Sequence, residues 1–142
     1  MRWVFDTDVM VAAIRSDAGA SRRLLAAALQ RRVGLLVSVP LVIEYEAVLT
    51  RPEHLQASGL TAADVATVLD AVVAIAEAVR LAFLWRPALR DPDDDMVLEA
   101  AVNGAADAVV TFNRRDFTRG AKAFGLEILS PGDALGRLEV RK

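Results

Sequence analysis

Asp6 and Asp8 flank Thr7 near the start of the chain, and Glu44 and Glu46 flank Tyr45 further on. Asp91, Asp93, Asp94 and Asp95 crowd the stretch "RDPDDD", and Asp116 stands in "NRRDF". Taken singly, none of these acids needs a function. Aspartate is favoured in the first turn of a helix through capping and the macrodipole, which accounts for two or three acids in "DPDDD"; Asp6 or Asp8 could equally cap a helix that follows a strand. Convergence changes the chemistry. Carboxylates within a few ångströms of one another cannot all ionise in a partly buried site without a compensating cation. A divalent metal provides one. It also lowers the pKa of a bound water and stabilises charge on a phosphoryl oxygen, which suits phosphodiester hydrolysis.

Composition restricts what such a site can be made of. There is no cysteine, which excludes disulfides, thiolate zinc sites and cysteine nucleophiles. The lone histidine, His54, falls between an expected helix end and a turn and reads as solvent-facing; one imidazole cannot form a histidine metal cluster. A metal site here must therefore be built from oxygen, which favours Mg²⁺ or Mn²⁺ retaining several of its waters. The net charge is −2, yet if Asp6, Asp8, Glu44, Asp91, Asp93, Asp94, Asp95 and Asp116 share one pocket, the remaining body is mildly basic.

A length of 142 residues with 54% hydrophobic content suits one domain, 1–142, with a sizeable core. "MRWVFDTDVMVAAIRS" lacks the pattern of a signal peptide, and "VATVLDAVVAIAEAVRLAFLW" is interrupted by Asp70, Glu77 and Arg80. The expectation is a cytoplasmic chain without membrane association.

The elements that must position the acids follow from periodicity. "RWVFD" reads as a buried strand and "VMVAAI" as a helical turn or two. "SRRLLAAALQRR" is helical, with Ser21 or Gly19 near its start, and "LLVSV" is a second strand. Pro40 opens a helix through "LVIEYEAVLTR" that ends near Pro52. "TAADVATVLDAVVAIAEA" is a long helix headed by Thr61 and Asp64 in a capping-box pattern. "VRLAF" reads as a third strand, "DDDMVLEAAVNGA" as a helix, "DAVVTF" and "LEILS" as strands, and "SPGDALGRL" as a last helix capped by Ser130. This alternation implies an α/β/α sandwich around a mainly parallel sheet.

In such a sheet, sites form beyond the carboxyl ends of the strands. Asp6 ends the first strand and Thr111, Asn113 and Asp116 follow the fourth, so these residues can share one edge. Asp94 heads an apolar stripe with Val97, Leu98, Ala101 and Ala105, whereas Asp95 aligns with Glu99 and Val102 at the stripe's solvent margin. Leu41, Glu44, Tyr45, Val48 and Leu49 keep helical spacing, but Glu46 also lies among apolar residues, and spacing leaves Glu44 and Glu46 undecided.

Four pieces in this order, "FDTDV", "LVIEYEAVLTRP", "DPDDDMVLEAA" and "VVTFNRRDF", resemble the PIN domain family, specifically the VapC-like toxins of bacterial toxin–antitoxin pairs. The likeness spans almost the whole chain. It implies four acids at Asp6, Glu44, Asp94 and Asp116, holding Mg²⁺ or Mn²⁺ in an endoribonuclease that hydrolyses RNA with a metal-activated water. Glu44 is thereby preferred to Glu46. Asp91, Asp93 and Asp95 take supporting or helix-start places, and Thr7, Thr111 and Asn113 would orient water or phosphate. Arg51, Arg114, Arg115 and Arg119 are implied as RNA phosphate contacts. Asp8 stands where relatives often carry Asn or Ser, and Asn113 where some carry an acid. The likeness also implies a homodimer and a small antitoxin partner, in keeping with a mean hydropathy of +0.33.

Two other readings compete. "FDTDVM" approximates the start of haloacid-dehalogenase-type phosphatases, with Asp6 as nucleophile and Thr111 and Lys122 as partners, but "DDD" precedes both where that family places its acids later. A non-catalytic, receiver-like binding module is the other. It predicts that Asp6→Asn and Asp94→Asn leave function intact.

Overall fold

A computed structural model describes residues 1–16, 19–82 and 92–140, apart from the side chains at positions 92–94, 119, 122 and 123. Its centre is β1 (Arg2–Phe5), in which Trp3, Val4 and Phe5 have no exposed surface. A strand buried on both faces needs a neighbour on each edge and helices above and below. It has both. Among the described residues five strands run parallel in the order β3-β2-β1-β4-β5, with β2 (Gly34–Val37), β3 (Glu77–Ala78), β4 (Ala108–Val110) and β5 (Glu127–Leu129). Parallel neighbours require crossovers, and helices provide them. α1 (Thr7–Arg15) and α2 (Ala20–Leu29) join β1 to β2; α3 (Val39–Leu49), α4 (Pro52–Ser58) and α5 (Ala62–Ile75) join β2 to β3. α6 (Pro92–Asn103) precedes β4, α7 (Arg114–Phe124) precedes β5, and α8 (Pro131–Val140) follows it. The result is an α/β/α sandwich. No single helix among the described residues is long and apolar enough to cross a membrane.

Local chemistry explains most boundaries. Thr61 Oγ1 accepts from the Asp64 N–H at 3.1 Å and Asp64 Oδ2 accepts from the Thr61 N–H at 2.9 Å, completing the capping box of α5. Ser38 and Ser130 cap α3 and α8, accepting from the N–H groups of Leu41 and Asp133.

The structure departs from the sequence reading at several places. The third strand is Glu77–Ala78, not "VRLAF": β2 ends at Val37 to enter α3, and after Val79 N–H donates to Val37 O there is no ladder left for later residues. Phe83, the last residue of that stretch, lies outside the described residues. The helix expected to end near Pro52 ends at Leu49, and Pro52 opens a further helix, α4, where a missing N–H costs nothing. "NRRDF", to which the sequence reading assigns no element, begins α7, whose Phe117 and Ala121 are buried and whose end is marked by Gly125 at φ 66°.

The apolar stripe of α6 stops short of Ala105. Val97, Leu98 and Ala101 are buried, but the helix closes when Ala106 N–H donates back to Ala101 O and Ala105 takes φ 51° at the turn. Asp95 and Glu99, expected at the solvent margin, are 2% and 0% exposed. The reason lies partly in their third i+4 neighbour, Asn103, whose Oδ1 accepts from the Ala82 N–H at 3.0 Å: this face of α6 is covered by chain entering from β3. Gly104 permits close approach here, since a Cβ would stand 2.8 Å from Val79 and 3.1 Å from Leu36.

Candidate active site

The parallel register pairs Phe5 with Val110, so the next residues, Asp6 and Thr111, emerge side by side at the carboxyl edge of the sheet. Asp6 N–H donates to Val110 O at 2.9 Å, which continues the ladder by one step before α1 begins. Its side chain is 5% exposed and fixed from two directions. Thr7 N–H donates to Oδ1 at 2.7 Å and Thr111 Oγ1 donates to Oδ2 at 2.6 Å. Thr111 is itself fully buried and accepts from the Asn113 N–H at 2.9 Å.

Asp8, in the first turn of α1, stands beside Asp6. Its Oδ2 accepts from Asn113 Nδ2 at 3.1 Å and from the Phe112 N–H at 3.3 Å. Its Oδ1 is buried without a hydrogen-bond partner among the described residues. Burial, and after it the negative charge of Asp6, push Asp8 up to about 7, against an opposite pull from the N–H groups of Phe112 and Val9. Tyr45 lies beneath them, fully buried and donating to Phe5 O. Burial, and after it the charge of Asp6, raise its phenol, which stays a neutral donor.

An open cleft of roughly 310 Å³ lies over this pair, lined by Asp6, Thr7, Asp8, Val11, Glu44, Val48, Arg51 and His54. Glu44 projects into it from the second turn of α3, while Glu46 is exposed elsewhere on that helix. The α3 stripe accounts for this placement: Leu41, Tyr45, Val48 and Leu49 are buried, so Glu44 sits where the apolar face meets the cleft.

Asp116 is exposed in the first turn of α7 and is not among the lining residues. Arg114 forms an ion pair with Asp133 at 3.3 Å, and Arg115 is exposed. Thr111 and Asn113 hold the carboxyls of Asp6 and Asp8. Asp91 lies outside the described residues, as do the side chains of Asp93, Asp94, Arg119 and Lys122.

His54 is the lining residue that sequence reasoning assigned to solvent. It is half-buried, and its Nδ1 is enclosed. Pro52 one residue after Arg51 was the available clue, because a helix started there carries Arg51 and His54 to the same side, three positions apart.

Among the described residues, no three acid or histidine side chains stand close enough together to hold a metal ion. Asp6 and Asp8 nevertheless fit one as a starting pair. Two adjoining carboxyls, one with an unpartnered buried oxygen and a raised pKa, form a donor set that a hard dication relieves.

No curated protein matches the chain. Among solved structures it is similar to the crystal structure of VapBC2 from Rickettsia felis bound to a DNA fragment from their promoter, at 14% identity and a TM-score of 0.60, over 92% of this chain and 98% of that one. Residues 2–115 match the PIN domain. On that match, the strand-edge aspartates and the cleft above them belong to a member of the PIN domain family, whose members are nucleases that work with divalent metal ions.

Proposed function

We propose that this chain is a Mg²⁺- or Mn²⁺-dependent endoribonuclease and the toxin of a type II toxin–antitoxin pair. The observation that supports the reading is the Asp6–Asp8 pair, held at the sheet edge, with Asp8 Oδ1 unpartnered among the described residues and the Asp8 carboxyl raised to about 7. Asp6, Glu44, Asp94 and Asp116 would hold the ion, with Asp8 adjoining and Asp91, Asp93 and Asp95 in support. When bound, the ion activates water for attack on phosphorus and neutralises charge on the phosphoryl oxygens.

The chain's own residues set the conditions for that step. Thr7 N–H and Thr111 Oγ1 fix the Asp6 carboxyl so that no rotamer search precedes binding. Asn113 and the Phe112 N–H hold Oδ2 of Asp8, so its Oδ1, without a hydrogen-bond partner among the described residues, would be the oxygen offered to an ion. Tyr45 braces the end of β1 from below as a neutral donor. Arg51 brings a cation to the cleft for an RNA phosphate.

Partnership is supported from the opposite direction. Val39, Ile43 and Val73 are 73%, 63% and 50% exposed beside one another around an apolar groove, a surface suited to a second copy or a small antitoxin. The similar structure from Rickettsia felis is a VapBC2 complex, which favours an antitoxin.

The test is cleavage of a broad single-stranded RNA pool with Mg²⁺, with Mn²⁺ and with EDTA, by wild type and Asp94→Asn. Cleavage that needs metal and disappears in the variant is expected. Products formed in EDTA, or none under any condition, would contradict the proposal.

A further inference from the structure

We propose that Arg51 and His54 together form an anion-binding wall of the cleft, which holds a phosphodiester of RNA opposite the carboxylates; the identity of the substrate rests on the nuclease reading above. Arg51 is the N-cap of α4, and His54 N–H donates to Arg51 O at 3.0 Å, so the two residues share one turn. Packing of α4 on α1 brings that turn against the helix that carries Thr7 and Asp8, and both side chains line the cleft.

Two features point to a ligand rather than to a structural role. Arg51 stands among acids, yet its side chain is exposed and makes no ion pair or hydrogen bond among the described residues, so its guanidinium is left for something that enters. The Nδ1 of His54 is enclosed without a hydrogen-bond partner among the described residues. Buried polar atoms of structural side chains are ordinarily paired within the protein, whereas a binding group acquires its partner with its ligand.

The chemistry of the wall selects the ligand. Arg51 offers only donors in a planar fork, matched to phosphate, and an imidazole N–H adds one more donor on the same side. The apolar side chains that line the cleft, Val11 and Val48, offer no aromatic face on which a base could stack.

Because the chain holds a single histidine, its imidazole nitrogens give an unambiguous nuclear magnetic resonance probe. The experiment titrates ¹⁵N-labelled protein in Mg²⁺ with a short oligouridylate carrying phosphorothioate linkages, so that it is not consumed. It compares wild type with Arg51→Ala and His54→Gln, and measures steady-state cleavage of ordinary RNA in parallel.

A saturable shift of the ring nitrogens is expected, with affinity about five- to tenfold weaker in either variant, the scale of one charge-assisted hydrogen bond. KM should rise by the same factor while kcat holds. Ring nitrogens that stay fixed as RNA binds elsewhere, an absence of RNA binding, or variants with wild-type affinity and KM would overturn the proposal. Should His54→Gln misfold, Arg51→Ala, altered only at an exposed side chain, decides the matter. Binding with the ring shift but no cleavage in Mn²⁺ would sink the nuclease reading and uphold this one; cleavage with KM unchanged in both variants would do the reverse.

Discussion

Two surfaces meet along α3, and they are unfinished in opposite ways. Toward α1 and α4 lies the cleft of Asp6, Asp8, Glu44, Arg51 and His54, where Asp8 Oδ1 and His54 Nδ1 are enclosed without a hydrogen-bond partner among the described residues. Toward α5 and β3 lies a groove lined by Val37, Val39, Val42, Ile43, Val73 and Val79, where apolar side chains stand in water. Burial of a charge without its counter-ion and exposure of a hydrocarbon face are each unfavourable alone. A small cation corrects the first, and only a macromolecular surface corrects the second. One helix can thus carry a chemical site and a docking site because its 3.6-residue period sends Glu44 and Ile43 to different sides.

If the two regions are separable, changes in one should leave the other intact. The largest effect belongs to Asp6→Asn, which removes the most tightly held carboxylate. Metal-dependent RNA cleavage should fall by about 100- to 1,000-fold, comparable with loss of one preorganised electrostatic group, while gel filtration shows unchanged assembly. Asp116→Asn, at an exposed position outside the cleft lining, should cost less in the same assay.

Gly104→Ala acts beneath the groove. Its new methyl would meet Val79 and Leu36, so thermal unfolding should show a destabilisation of about 1–3 kcal/mol, as overpacking generally does. Mn²⁺ affinity of the folded fraction should not change. Ile43→Asp should lower self-association or antitoxin binding in sedimentation experiments, with the melting temperature shifted little because the side chain is 63% exposed.

The smallest effect is a pH slope. The Asp8 carboxyl has its folded pKa raised from 3.8 to about 7, so between those values the native state binds more protons than the unfolded chain. Its contribution therefore favours folding at the acidic end and is lost as pH rises through 7. Urea denaturation of metal-free protein across this window should show that decline, and Asp8→Asn should flatten it. Solvent screening of the half-exposed group keeps the effect modest.

Much of this was legible in the sequence because it is local. The alternation of short apolar runs with helical spacing implied the parallel sheet, and Thr61 with Asp64 marked a helix start by hydrogen bonds that span three residues. Asp6 was legible since a strand ending in an acid has one place to present it. Features that depend on what covers a helix were not. Asp95 and Glu99 looked solvent-facing until chain leaving β3 lay across them, and His54 looked exposed until α4 turned it toward α1. The strand at Glu77–Ala78 was hidden for the same reason: its limits are set by where β2 stops, not by its own two residues.

Isothermal titration calorimetry of Mn²⁺ into folded, metal-free protein near pH 7 addresses the cleft most directly. Saturable uptake accompanied by proton release is predicted, since an ion beside Asp6 displaces the proton that Asp8 retains, and Asp6→Asn should weaken the uptake. No heat of binding in protein shown by circular dichroism to be folded would contradict a metal centre at this sheet edge.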